Sequence, residues 1–366
     1  MTEPAGDEAL AERLAQRTEA LCALLTPIGE ERALCELVQG WATGRFPHVR
    51  RLRDSLVVGV DGAGAREGRP LVALCGHLDT VPVHASDRGG PRREGGRLVA
   101  PGAADMKGGL ALMMALAEAL PAEERFCDLL LVFYAREEGP YLENELEVVL
   151  AGAPELKQAA LALCLEPTDN VVQLGCVGSI HATVTFTGRA AHSARPWQGD
   201  NAVHRAGALL KELAERPPRQ AVSGGQPFRE VLSCTRIEGG QARNVVPERC
   251  TLNLNFRFAP DKSLEQAVGE LVALGERYGA EVTLTDRSPA CPAWGDHPLV
   301  QRLLSRTGAA AEPKQAWTDV ARLAVHGLAA VNFGPGAPAQ AHQRGEWVEV
   351  AALARGYRLL ERFLRR

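Results

Sequence analysis

The chain has 366 residues, more than one hydrophobic core usually supports, so length favours two domains. Hydrophobic residues make up 46% and charged residues 23%, with 37 glycines, a composition that excludes disordered, fibrous and membrane-embedded classes. The net charge of −4, with acids and bases interspersed, gives no reason to expect nucleic acid or an anionic membrane as partner and leaves small molecules.

The opening stretch MTEPAGDEALAERLAQ is acidic and amphipathic and lacks the basic and apolar regions of a signal peptide, and no stretch approaches a membrane span. A cytoplasmic protein is expected. Nine scattered cysteines without CxxC spacing, mostly inside apolar runs, read as buried thiols of a reducing compartment. Helical periodicity runs through residues 7–42, interrupted at Pro27, and then short apolar strands alternate with helices. The runs SLVVGV, LVALC, DLLLVFYA and ALALCLE are continuously apolar, as in a largely parallel sheet covered on both faces, and KGGLALMMALAEAL is one of the covering helices.

Near residue 175 the texture changes. IHATVTFTG and CTLNLNFRF alternate with period two, so each presents one wet face. With helices in NAVHRAGALLKELAER and SLEQAVGELVALGERYG and strands in EVLSCTRIEGG and EVTLTD, the order is βαββαβ, the split ferredoxin-like unit. After RSPACPAW the α/β texture resumes with LAAVNFGPG and a final amphipathic helix. The expected organisation is an α/β catalytic domain over 1–174 and 289–366, with a ferredoxin-like α+β domain inserted over 175–288.

In open α/β sheets ligands bind beyond the carboxyl ends of the strands, and polar groups collect at those ends. His77 and Asp79 follow LVALC, Glu137 and Glu138 follow LLLVFYAR, and Glu166 ends ALALCLE. Asp105 lies in PGAADMKGG, and His342 follows LAAVNFG at a distance. Each has an ordinary reading alone: Asp105 as a helix cap, the glutamates as solvated loop acids, and His342 as a surface histidine. Together, two imidazoles and several carboxylates at one sheet edge would repel or stay unpaired unless cations neutralised them. The donor types suit zinc, with cobalt or manganese as substitutes, and suffice for two ions about 3.5–4 Å apart. Asp79 is placed to orient His77, and one of Glu137 and Glu138 is left to move a proton, although neighbouring side chains at a strand end do not reveal which.

The segments GHLDTVP, GAADMKGG, REEG, CLEP and AHSARP, in this order, resemble the di-zinc aminoacylase and carboxypeptidase family over essentially the whole chain. Within it, GSIHATVTFTGRAAHSARPWQGDNAVH, NVVPE, WTDVARL and AVNFGPGAPAQAHQRGEWV most resemble the succinyl-diaminopimelate desuccinylases, particularly their shorter actinobacterial-type branch. The resemblance implies a zinc-exopeptidase-like catalytic domain with an inserted lid and dimerisation domain. It makes His77 and Glu166 ligands of one zinc, Glu138 and His342 ligands of the other, Asp105 the bridge and Glu137 the general base. It also implies a cis peptide at Asp105–Met106 and substrate contacts from Asn244, Arg257 and Thr318. His192 would donate a hydrogen bond to the oxyanion in the partner's site of a homodimer. The implied reaction is hydrolysis of N-succinyl-LL-2,6-diaminopimelate, with deacetylation of acetylornithine, aminoacylase or dipeptidase activity as alternatives and a non-catalytic binding protein as a remote one. One departure stands out. Where many desuccinylases carry an arginine before the Gly-Ser of the inserted domain's first strand, this chain has Cys176 and Val177, leaving Arg195, Arg243 and Arg322 as candidate replacements.

Overall fold

Runs of buried apolar residues build a sheet whose centre is parallel. In the computed structural model, which describes residues 4–366, the strands Asp128–Tyr134, Leu71–His77, Ala159–Cys164 and Ala330–Asn332 lie side by side and parallel. Every residue of Leu71–His77 and of Asp128–Tyr134 is buried, as strands covered on both faces require. Outside this parallel centre the sheet turns antiparallel. Ser55–Gly59 pairs with Asp128–Tyr134 and with His48–Leu52, and Val172–Leu174 pairs with Ala330–Asn332, both in antiparallel register. SLVVGV is therefore an antiparallel strand, because burial on both faces makes a run apolar whichever way it points.

The expected helical stretch at the start divides into Pro4–Cys22 and Arg32–Ala42, with Pro27 between them. Gly108–Ala119 is buried along most of its length, and the final helix Val350–Leu364 buries Leu353, Tyr357, Leu360, Phe363 and Leu364 at helical spacing. A small antiparallel sheet of Arg92–Glu94, Arg97–Val99 and Trp347–Glu349 ties the end of the chain to the loop that precedes Asp105.

These elements form one unit, made of the segment ending at Leu174 together with Trp294–Glu312 and Arg322–Arg366. The second unit is Gly175–Ala293 with Pro313–Ala321. The latter segment, placed by sequence with the flanking chain, is bonded into the second unit: Val177 N donates to the Lys314 carbonyl at 3.3 Å and Trp317 Nε1 to the Pro289 carbonyl at 3.0 Å. The sheet of this unit has the order Arg219–Ser223, Gln226–Gly239, Arg249–Arg257, Ser179–Thr187, Glu281–Ser288, all antiparallel. Removing its first strand leaves the expected ferredoxin-like arrangement. The added strand closes a two-residue hairpin at Gly224 and Gly225, whose φ values of +51° and +75° are those a type I′ turn demands. The helices Ala202–Glu215 and Leu264–Arg277 start on Asn201 and Ser263 caps and seal one face over Phe186, Leu252, Leu254 and Phe256.

Candidate metal centre

The strand register delivers the candidate groups to one edge of the first unit. His77 is the last residue of its strand and lies opposite Tyr134, so the chain leaving Tyr134 carries Glu137 and Glu138 past it. On the other side Cys75 is opposite Cys164, and Glu166 follows two residues later. Asp105 arrives on a turn that needs Gly102, whose φ is +77° and whose Cβ, were there one, would stand 2.8 Å from Thr80 Cγ2. The Asp105–Met106 peptide is cis. His342 reaches the same place from the loop between Pro338–Gln340 and Trp347–Glu349.

Asp105 is the common member of the cluster. Its Oδ1 is 3.1 Å from His77 Nε2, and its Oδ2 is 3.7 Å from His342 Nε2. His342 Nε2 also lies 2.9 Å from Glu138 Oε2. Among the described residues, donor atoms come within 4.8 Å of one another in His77, Asp105 and Glu166, in Asp105, Glu138 and His342, and in His77, Glu137 and Glu138. The first two trios share only Asp105, one carboxylate oxygen facing each imidazole. That is a donor set for two cations with a carboxylate between them. Glu137 lies with His77 of one trio and Glu138 of the other, and belongs to neither of those two trios.

Electrostatics agrees with this fit. Burial opposes a charged His77, yet the hydrogen bond to Asp105 and the Asp79 carboxylate prevail and hold its pKa well above the ordinary value. The hydrogen bond to Glu138 raises His342 to about 9, and burial with the Asp105 charge pushes the Glu138 carboxyl up. Imidazoles that keep protons among crowded carboxylates mark a place short of positive charge, and a metal ion would displace those protons. The His77 ring is already turned for this: Nδ1 lies 3.0 Å from the Asp79 carbonyl, which leaves Nε2 to face the centre.

Asp79 was expected to orient His77 through its ring nitrogen, and the structure brings the Asp79 carbonyl closest to that nitrogen. The carboxylate stands 3.6 Å from Nδ1, while its two oxygens accept Glu137 N at 3.0 Å and Glu138 N at 2.9 Å. Asp79 thus holds His77 with its backbone and the Glu137–Glu138 turn with its side chain. A second buried carboxylate, Glu346, accepts three backbone N–H groups of the Asp105 turn, and burial pushes its pKa up to about 7. It was not among the sequence candidates. An isolated acid in AHQRGEW carries no spacing signal, and acceptors of backbone hydrogen bonds leave no pattern in side-chain types.

The remaining candidates belong to the second unit. His192 is exposed, and its Nδ1 accepts Ala194 N at 3.1 Å, so the neutral ring carries its hydrogen on Nε2. Asn244 is exposed on the adjoining loop, where its carbonyl accepts Ser193 N at 2.9 Å. Arg257 is partly buried, and its Nε donates to Asn255 Oδ1 at 3.0 Å. Asn255 in turn lies 2.8 Å from His181 Nε2, a histidine the sequence reading did not single out. Thr318 is buried, and its carbonyl accepts Cys176 Sγ at 3.8 Å. Burial pushes the Cys176 thiol up to about 11, so it offers no charge where the arginine is missing. Of the proposed replacements, Arg195 and Arg243 are exposed in this unit. Arg322, in the first unit, is buried, stacks 3.9 Å over the Tyr141 ring and donates to the Tyr141 carbonyl at 2.6 Å.

Carboxylates and imidazoles gathered at the carboxyl edge of a mostly parallel sheet, with a further acid beside them, fit a metal-dependent hydrolase. The sequence profile of Peptidase family M20/M25/M40 matches residues 73–366, and the chain belongs to that family. It is 33% identical over 357 residues to the succinyl-diaminopimelate desuccinylase of Corynebacterium glutamicum, covering 95% of each chain. It is 39% identical over 293 residues to a Mycobacterium tuberculosis protein provisionally named succinyl-diaminopimelate desuccinylase DapE, covering 80% of this chain and 82% of that one. The crystal structure of aminopeptidase PepT from Bacillus cereus shares the fold, with a TM-score of 0.79 at 20% identity over 97% of this chain and 98% of that one. No helix among the described residues is long and apolar enough to cross a membrane.

Proposed function

We propose that the chain hydrolyses N-succinyl-LL-2,6-diaminopimelate to succinate and LL-2,6-diaminopimelate in the cytoplasm, as a step toward lysine and cell-wall precursors. The observation that carries the metallohydrolase reading is Asp105, which turns one oxygen to His77 and the other to His342. The two desuccinylase relatives support the choice of substrate. Two Zn2+ ions per subunit, replaceable by Co2+ or Mn2+, would be held by His77 and Glu166, by Glu138 and His342, and by Asp105 shared between the two donor groups. Bound there, they would polarise the amide carbonyl and lower the pKa of the attacking water.

Glu137 takes the proton from that water and returns it to the departing amine, so the carboxylate ends the cycle as it began. Its backbone is fixed for this by the Asp79 carboxylate. The inserted domain serves as lid and dimerisation surface, and the Nε2–H of His192 from the partner donates to the oxyanion. Arg257 pairs with the succinyl carboxylate, and Asn244 and Thr318 add polar contacts to the substrate.

The test is a comparison of purified protein, with zinc or cobalt and with chelator, on N-succinyl-LL-2,6-diaminopimelate, N-acetylornithine, N-acyl amino acids and dipeptides. Chelation should abolish turnover. Pairing of the extra carboxylate is worth about 1.5–3 kcal/mol, so the succinyl substrate should lead by roughly one to two decades in kcat/KM. Equal or better activity on N-acetylornithine would overturn the desuccinylase reading and leave the metal-dependent hydrolase standing.

A further inference from the structure

Glu346 is 7% exposed, and its carboxylate binds the turn that leads into Asp105. Oε1 accepts Ala104 N at 2.7 Å and Asp105 N at 2.8 Å, and Oε2 accepts Gly102 N at 2.8 Å. The backbone of the same residue is tied to the same loop, since Ala100 N donates to the Glu346 carbonyl at 3.0 Å. The strand that follows, Trp347–Glu349, pairs with Arg97–Val99. One side chain therefore fixes the peptide units that lead directly into Asp105.

A buried N–H needs only some acceptor, and a neutral amide or carbonyl would satisfy it. A carboxylate makes stronger, shorter bonds and gathers several donors at one point, at the cost of burying a charge. That cost is incurred where two segments meet: Asp105 on one, and His342, four residues before Glu346, on the other, their side-chain atoms 3.7 Å apart. We propose that Glu346 is a positioning residue for the two-metal centre. It sets the angle at which the Asp105 carboxylate stands between His77 and His342 and keeps the His342 segment in register with it. The inference rests on the metal-site reading given above.

The test uses the full-length variants Glu346→Gln and Glu346→Ala, with Glu349→Gln as a control on an exposed acid of the adjoining strand. Glutamine keeps one carbonyl acceptor but turns an NH2 toward the third N–H, so it should be the milder change. Circular dichroism and the Tm of the metal-free proteins establish that each variant is folded. Zn2+ and Co2+ affinities are then measured by competition with a chelating indicator, and the visible spectrum of the Co2+ form is recorded. Removing partners that orient metal ligands typically costs about 10–100-fold in affinity. We expect a loss of that size for at least one of the two ions, a changed Co2+ spectrum and a smaller loss for glutamine than for alanine. Glu349→Gln should match wild type in both readouts. If alanine prevents folding, the glutamine variant decides. Folded variants that bind both ions with wild-type affinity and an unaltered Co2+ spectrum overturn the role of Glu346 while leaving the metal-site reading intact. A wild-type protein that takes up no ion through His77 and Asp105 overturns both.

Discussion

In the first unit, acids and imidazoles from separate stretches of chain converge on Asp105, whereas in the second His192 and Asn244 share a pair of bonded loops, Arg257 and Thr318 lie on other segments, and no such cluster of donors occurs among the described residues. The difference is one of charge. Carboxylates crowded beside imidazoles at a sheet edge call for positive charge, so the first unit presents a candidate cation site from within a single chain. The polar groups of the second unit are compatible with folding whether or not anything binds them.

The comparison would be sharpened most by His192. If its Nε2–H serves an oxyanion in the partner's site, His192→Ala should lose about two to three decades in kcat and retain its metal. Mixing it with Glu137→Ala under conditions that exchange subunits should restore part of the activity, because a subunit keeping Glu137 would receive His192 from its partner. No recovery despite exchange verified by native mass spectrometry, or a fully active monomer, would break the shared-site account.

Arg257 should show a smaller and more selective effect. Arg257→Ala is expected to lower kcat/KM for the succinyl substrate by roughly one to two decades and to change hydrolysis of an acetyl analogue little. Equal losses on both substrates would point to a structural arginine.

Much of the first unit was legible because its information lies in side chains. Continuous apolar runs announced the buried strands, and polar letters at their ends announced the candidate site. The direction of Ser55–Gly59 was not legible, since burial on both faces erases the distinction between parallel and antiparallel neighbours. The strand Arg219–Ser223 was missed because it is an edge strand with mostly polar residues, although the Gly-Gly turn beside it was a usable hairpin signal. Asp79 was a candidate orienter from its place two residues after His77, but the division of contacts between its carbonyl and its carboxylate depends on the backbone. Glu346 was invisible for the same reason: its partners are three N–H groups, which no letter of the sequence records.

The second unit also carries a purely structural ion cluster, and it should give the smallest functional effect of all. Burial opposes ionisation of Glu230, but hydrogen bonds from Arg219, Ala259 N and Lys262 win and hold its pKa below the ordinary value. A depressed folded pKa contributes stability that is present above the unfolded value of about 4.3 and is lost as pH falls through the folded value. Glu230→Gln should therefore cost about 1–3 kcal/mol at pH 7, and progressively less as the pH falls below about 4. Denaturant unfolding at both pH values checks this, and metal content should be unchanged. A penalty that does not shrink on acidification would show that charge is not the source of the stability.

The most direct test of the two-metal account is the metal content of two neighbouring variants, measured by inductively coupled plasma mass spectrometry beside activity. Glu137→Ala should be inactive and keep close to the wild-type two ions per chain, because its carboxylate moves a proton. Glu138→Ala should lose at least one ion, because its carboxylate stands with His342 and Asp105. If Glu137→Ala lost an ion while Glu138→Ala retained both, the roles of the two residues would be reversed. If neither changed the metal content and the wild-type protein held no more than traces, the centre would not be a metal site.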